Sequence, residues 1–341
     1  MSPHIDTLIV GAGPIGLACG ISARHRGFNA TIVDAGSLAH SITRYPVGMT
    51  FFTTPERLEI GGHPLVTAGA KATREDALKY YRGVARAEGL TVRPYVRLAA
   101  AVRGTDVIMC TLETRLGQES VTCGRLVLAT GYFDHANMLG VPGEGLPHVS
   151  HWLDEVHLTS GLDVVIIGGK NSAVEAALQC YRAGARVTII YRGRAWKPSV
   201  KYWLRPDLDN RIAAGEITAL LGTAVERITL EAVHALESDG TSRIVPADRV
   251  YALTGYHPDF ALLESIGVHI DEATGRPALN LETLETNVAG VFLAGSVGAG
   301  RHTSEVFIEN GRYDGEKIFG DSASREAAAK GYADKPRTVG E

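Results

Sequence analysis

Residues 6–34 constrain this chain more than any other stretch. Thr7-Leu8-Ile9-Val10 reads as a short buried strand and runs directly into Gly11-Ala12-Gly13-Pro14-Ile15-Gly16. An apolar-periodic helix follows to about Arg26, then a second strand over Ala30 to Val33, closed by Asp34. Three glycines at this spacing say little alone. Strand, glycines, helix, strand and terminal acid in that order specify a βαβ unit that receives a dinucleotide. Gly11 permits the tight turn, Gly13 lets backbone approach a pyrophosphate, and Gly16 lets the helix pack on the strand. The helix start, opened by Pro14, directs unpaired N–H groups and its positive dipole end at the phosphates. Asp34, 18 residues past Gly16, is placed to accept a hydrogen bond from a ribose 2′-hydroxyl and to repel a 2′-phosphate.

A chain of 341 residues suggests about two domains. A net charge of −4 and a pI near 6.3 offer nothing to nucleic acid or to an anionic membrane. The longest apolar run, Leu8 to Ile21, is broken by four glycines and a proline and is too short to span a bilayer. The first strand begins so early that no signal peptide is expected, and the cytoplasm is the expected compartment. Four cysteines, Cys19, Cys110, Cys123 and Cys180, lie far apart without a C-x-x-C pair. Neither a disulfide framework nor a metal site is expected from them.

After Asp34 an irregular segment carries Met49-Thr50-Phe51-Phe52-Thr53-Thr54-Pro55-Glu56. Adjacent aromatics flanked by hydroxyls suit a flat ring with polar edges, and equally suit plain packing; Phe52 and Thr53 are the candidates. Thr73-Arg74-Glu75-Asp76 opens a helix with a capping box in which Asp replaces the usual Glu. Leu90 to Cys123 reads as short strands with turns near Gly104 and Gly117, a small antiparallel insert. Arg125 to Leu128 is a strand ending in Ala129-Thr130-Gly131, small residues that let backbone lie against a cofactor.

A second dinucleotide unit follows. Asp163 to Ile167 is its strand, Gly168-Gly169-Lys170-Asn171-Ser172-Ala173 its turn, and Val187 to Ile190 the next strand. Lys170 stands where the second glycine is expected, so its side chain must point away from the pyrophosphate or contact it. Asn171 or Ser172 is expected to cap the helix, with Glu175 in its first turn. The strand closes not on an acid but on Arg192, with Arg194 and Lys197 behind it. A base there matches the 2′-phosphate of NADP, where Asp34 matches a free hydroxyl. Val250 to Gly255 repeats the strand-to-glycine pattern and marks a return crossing at Gly255. Thr286 to Gly295 reads as a turn and buried strand; Ser296 follows, then a helix over Ser304 to Phe319 whose start would face a flavin ring.

These motifs together resemble the two-dinucleotide flavoprotein oxidoreductases, with low-molecular-weight thioredoxin reductases nearest in layout. Met49 to Ile60, Gly168 to Glu175, Arg192 to Pro206 and Phe307 to Arg312 are similar to the bacillithiol-disulfide reductases, also called bacilliredoxin reductases. The resemblance implies an α/β fold of two Rossmann-like domains. FAD would occupy 1–137 with 257–341, and NADPH an inserted 138–256. It also implies Gly295, Ser296, Phe307 and Ile308 beside FAD, and a homo-oligomer that passes hydride to a small-molecule disulfide or small redox protein. Two departures stand out. There is no C-x-x-C to relay electrons, and Ile15 occupies the place of the family's fingerprint cysteine. Cys19, one turn on, reads as a buried structural thiol. Ser296 stands where many flavoproteins place an Asp. His302 and His257, near glycine-rich turns, are candidate proton donors. A ferredoxin– or flavodoxin–NADP reductase-like electron transferase, and a non-enzymatic redox sensor, remain open as alternatives.

Overall fold

In this computed structural model residues 3–333 are described. They divide into two compact units, one of residues 3–43, 48–135 and 256–333, the other of 44–47 and 136–255.

The first unit begins with strands β1 (His4–Val10) and β2 (Ala30–Asp34), which flank helix α1 (Pro14–His25). Short helices α2 (His40–Thr43) and α3 (Pro55–Leu58) precede α4 (Arg74–Ala87). Strands β3 (Thr91–Pro94), β4 (Arg97–Arg103), β5 (Ile108–Thr114) and β6 (Gly117–Leu128) follow. Leu8, Ile9 and Val10 are buried, as expected of a strand covered on both faces. The capping box forms: the Thr73 hydroxyl accepts the Asp76 N–H at 3.1 Å, and the Asp76 carboxylate accepts the Thr73 N–H at 3.0 Å. The shorter acid suffices.

The second unit contains β7 (Val149–Ser150), β8 (Asp163–Ile167), helix α5 (Asn171–Arg182), β9 (Arg186–Tyr191) and α6 (Arg205–Ala213). Strands β10 (Ile217–Leu221), β11 (Thr223–Ile228), β12 (Ala232–Glu237), β13 (Ser242–Pro246) and β14 (Arg249–Ala252) complete it. Its parallel sheet has the order β10-β9-β8-β14-β7, and β11-β12-β13 form a separate antiparallel sheet. The sequence reading had no counterpart for that second sheet.

The chain then returns to the first unit through α7 (Phe260–Ile266), β15 (Val291–Leu293), α8 (Ile308–Gly311), α9 (Asp314–Phe319) and α10 (Ser322–Ala333). The first sheet runs β3-β2-β1-β6-β5-β4, with β15 also on β6. Strand β6 is one continuous strand of 12 residues. Its first half closes the antiparallel insert against β5, and its second half is parallel to β1 and β15. Strand β3 pairs in parallel with β2 and so lies outside the antiparallel insert. The helix expected over 304–319 is instead two short helices starting at Ile308 and Asp314. Asn310 causes the late start: its side-chain oxygen accepts the Phe307 N–H at 2.8 Å, and its amide donates to Glu305 O at 2.9 Å. Residues 304–307 are thereby held outside the helix.

Candidate functional site

Register places the carboxyl ends of β1, β6 and β15 side by side, since Val10 pairs with Leu128 and Leu128 with Leu293. Three loops leave from that edge: residues 11–16, Ala129 to Gly131, and Ala294 to Ser296. Crevices at such strand ends receive ligands in open α/β sheets. Gly11 has φ +110°, and a Cβ there would stand 2.3 Å from Ala129 O. A Cβ at Gly16 would meet Gly11 O at 1.8 Å, so the helix can start this close to the strand only as glycine. Gly13 differs, with nothing within 4 Å of its would-be Cβ. Its φ of −72° suits any residue, so neither backbone conformation nor packing within the chain requires glycine there. Thr130 abuts Gly11, and Gly131 faces the Ser296 hydroxyl 3.9 Å from its own would-be Cβ.

Asp34 has two backbone partners. Its Oδ2 accepts the Ala12 N–H at 2.7 Å and its Oδ1 the Gly36 N–H at 2.7 Å, fastening the glycine loop to the end of β2. Burial raises its pKa, opposed by those two hydrogen bonds. Each oxygen keeps a lone pair for a hydroxyl donor.

The two motifs at Met49–Ile60 and Phe307–Arg312 meet in space. Phe52 and Phe307 pack edge to face with centroids 5.9 Å apart. Arg312 donates to the carbonyls of Glu56 and Glu59 at 2.7 and 3.0 Å, closing the end of α3. Thr53 is buried and hydrogen-bonds Glu309, whose pKa burial raises. Phe51 is buried packing, while Phe52 keeps 41 % of its surface exposed. Ile308 begins α8, and Gly311 at its end touches Ile15. Ile15 wedges between Gly295 and Gly311, at 3.2 and 2.9 Å from their would-be Cβ atoms. A branched alkyl group thus fills the place the resemblance reserves for a thiol. Cys19 is fully buried, and burial together with the charges of Asp314 and Glu316 raises its pKa well above the usual thiol value.

The second loop sits in the other unit. A Cβ at Gly168, φ +151°, would stand 2.5 Å from Leu253 O, which repeats the Gly11 arrangement. The Tyr191 ring covers Gly169 and Gly193, each of whose would-be Cβ atoms lies within 2.5 Å of it, and stacks on Trp196 at 6.0 Å. Lys170 is exposed. Asn171 does not cap α5; nor does Ser172, which is exposed, for the cap residue is Lys170. Asn171 instead donates to Ser199 O at 3.0 Å and accepts the Lys201 N–H at 2.8 Å. One amide therefore ties the loop bearing Arg192, Arg194 and Lys197, all exposed, to the start of the helix. Glu175 lies one position beyond the first turn. Gly255 has φ +97° and adjoins Asn137.

His257 and His302 stand in different settings. The Nδ1 of His257 lies 2.7 Å from Pro258 O, an acceptor only, so that nitrogen carries the proton; its ring stacks on Phe260. His302 is exposed, 3.9 Å from Glu305. Among the described residues no helix is long and apolar enough to cross a membrane, and no group of three or more His, Cys, Asp or Glu could hold a metal ion. Asn171 as an anchor, Tyr191 as a cover and Asp314, treated below, escaped sequence reasoning. Only Asn310 and Arg312 carried a signal, as parts of a motif with no role assigned.

The sequence model of the pyridine nucleotide-disulphide oxidoreductase family matches residues 8–295. Bacilliredoxin reductase Bdr of Bacillus subtilis (strain 168) is 43 % identical over 319 residues, 94 % of this chain and 98 % of that protein. The chain belongs to the pyridine nucleotide-disulphide oxidoreductases, in their bacilliredoxin reductase branch. The bacillithiol disulfide reductase Bdr from Bacillus cereus superposes with a TM-score of 0.90 at 38 % identity, covering 96 % of this chain and 99 % of that one. Thioredoxin reductase from T. acidophilum shares the fold, with a TM-score of 0.73 at 20 % identity over 96 % of this chain and 100 % of that one. This member of the family is accordingly an oxidoreductase that works with FAD and NADPH. The residues fit two such nucleotides: an open backbone approach at Gly13, and two glycine turns that no side chain could replace.

Proposed function

We propose that this oxidoreductase reduces a low-molecular-weight disulfide of the bacillithiol type, with FAD at the first glycine loop and NADPH at the second. The observation that carries this reading is the burial of all four thiols. Cys110 and Cys123 approach each other to 3.8 Å, but Cys123 stands six positions before Ala129 along β6, about 20 Å of extended chain. An internal dithiol relay therefore has no candidate, and a small disulfide must take its electrons at the flavin. The names of the Bacillus relatives, a bacilliredoxin reductase and a bacillithiol disulfide reductase, support that acceptor class.

Bound FAD would supply a two-electron relay between the dihydronicotinamide and the acceptor. The chain's own residues bind and orient. Gly11, Gly13, Pro14 and Gly16 receive the FAD pyrophosphate, and Asp34 its ribose. Ala129, Thr130, Gly131, Gly295 and Ser296 line the middle of the molecule, and Phe52, Thr53, Phe307 and Ile308 its ring end. Gly168, Gly169, Lys170 and Ser172 receive the NADPH pyrophosphate with Gly255 alongside. Arg192, Arg194 and Lys197 hold the 2′-phosphate, with Asn171 keeping their loop in place. In the whole reaction NADPH, one proton and the disulfide become NADP⁺ and two thiols, as the S–S bond breaks. His257 through Nε2, or His302, brings the proton to the leaving thiolate. The compartment is the cytoplasm and the working form a homo-oligomer.

Anaerobic stopped-flow absorbance tests the proposal. NADPH should bleach the flavin band, and bacillithiol disulfide should restore it over many turnovers. Reoxidation by ferredoxin alone would replace the acceptor with a small redox protein. A flavin that NADPH never bleaches would sink the reading.

A further inference from the structure

Asp314, the first residue of α9, keeps only 1 % of its surface exposed. It lies against α1, where Gly315 lets the helices come so close that a Cβ would stand 3.0 Å from the Cys19 Cα. Its carboxylate has two partners. Oδ2 accepts the Gly295 N–H at 2.6 Å, and Oδ1 accepts the Tyr332 hydroxyl. Gly295, φ +77°, opens the turn after β15 and rests on Ile15 of the first glycine loop. Tyr332 belongs to α10, with Lys317 Nζ 4.0 Å from its ring centroid. A continuous line of contacts thus runs from α10, through a buried acid, to the loops assigned to FAD.

The acid is held at a cost. Desolvation pushes its pKa up to about 6, against the lowering effects of Tyr332, the Gly295 N–H and Lys317. A folded-state value above the ordinary carboxylate value near 3.9 means that folding disfavours the charge; stability falls as pH rises between about 3.9 and 6. The groups facing it are Cys19 from α1, Lys317 on α9 and Tyr332 on α10; Glu316, which also acts on Cys19, is paired with Arg26. Cys19 and Tyr332 both have raised pKa values and stay neutral, leaving Lys317 as the favourable charge. A left-handed glycine peptide has little of its own to fix its orientation. A charge-assisted hydrogen bond supplies what the glycine lacks.

We propose that Asp314 is a positioning residue: with Tyr332 it fixes the Gly295 peptide in the orientation FAD requires, and so couples the docking of α10 to retention of the flavin. This rests on the assignment of FAD to the first glycine loop. Asp314→Asn preserves shape and one acceptor but removes the charge, and Tyr332→Phe removes only the hydroxyl. Titration of FAD into each stripped full-length protein, read by quenching of flavin fluorescence, gives the affinity; thermal unfolding of the same apoproteins gives stability. At pH 7.5 we expect Asp314→Asn to bind FAD about ten-fold more weakly, and Tyr332→Phe about three-fold. The Asp314→Asn apoprotein should nonetheless unfold at the wild-type temperature or above it. The affinity gap between wild type and Asp314→Asn should close as pH falls below about 6, where Asp314 itself is neutral. Affinity and unfolding temperature falling together would reveal a merely structural acid and overturn the proposal. Wild-type affinity in both variants would overturn it too, leaving the FAD assignment intact. A wild-type protein that takes up no FAD would remove that assignment and the proposal together.

Discussion

The two glycine loops solve the same steric problem and then diverge. Gly11 and Gly168 both turn the chain beneath a neighbouring carbonyl, Ala129 O and Leu253 O, which a Cβ would approach to 2.3 and 2.5 Å. At the third fingerprint position the first loop has Gly16 and the second Ala173, a buried methyl only 2.9 Å from the would-be Cβ of Gly168. At the second position the contrast is sharper: open space above Gly13, an exposed four-carbon cation at Lys170. The strand that follows ends in Asp34, tied to two backbone N–H groups, or in Arg192, exposed on a loop pinned by Asn171. One loop is built from backbone and a fixed acid, the other from exposed side-chain charge. That difference suits a nucleotide that stays and one that is exchanged.

The largest effect should come from Gly13→Ala. Its φ and free space leave room for a methyl in the apoprotein, yet that methyl would occupy the approach proposed for the pyrophosphate. FAD affinity should fall about 100-fold or more with unchanged apoprotein unfolding temperature. Normal flavin content would break the comparison at its first term. Next, Arg192→Ala should cut the preference for NADPH over NADH in kcat/KM by about 30-fold, or about 2 kcal/mol, by removing a charge-assisted phosphate contact. An unchanged ratio would leave the basic loop as solvated surface. Lys170→Ala should raise KM for NADPH about five-fold while leaving flavin content alone, as expected of the exposed charge proposed to act on a phosphate. Last, His302→Asn should slow reoxidation by the disulfide about two-fold with flavin reduction unchanged, as expected of an exposed proton donor that water can replace. Equal rates in both half-reactions would remove His302 from the mechanism.

Much of this site was legible before any fold was known, because its rules are short-range. Tight turns at Gly11 and Gly168 follow from sterics within a βαβ unit, and the capping box at Thr73 from hydrogen bonds spanning three residues. What was misread has the opposite character. Asn171 looked like a helix cap because its sequence neighbours suggested one, but its partners, Ser199 and Lys201, lie 28 and 30 residues away. The helix assigned to 304–319 had acceptable local propensity, yet the Asn310 side chain gives the backbone a competing partner. Ser296 drew attention for the acid it lacks, while the acid that reaches this loop, Asp314, comes from another element 19 residues from Gly295.

By itself the sequence determined that there are two nucleotide units, and that an acid ends one and a base ends the other, since strand length, glycine spacing and terminal charge are encoded within about 30 residues. The tertiary structure alone decided that β6 serves insert and nucleotide sheet as one strand, that Phe52 meets Phe307, and that Asp314 holds Gly295. Those pairings satisfy buried donors and apolar surface contributed by distant segments, and no local pattern names the partner that packing will bring.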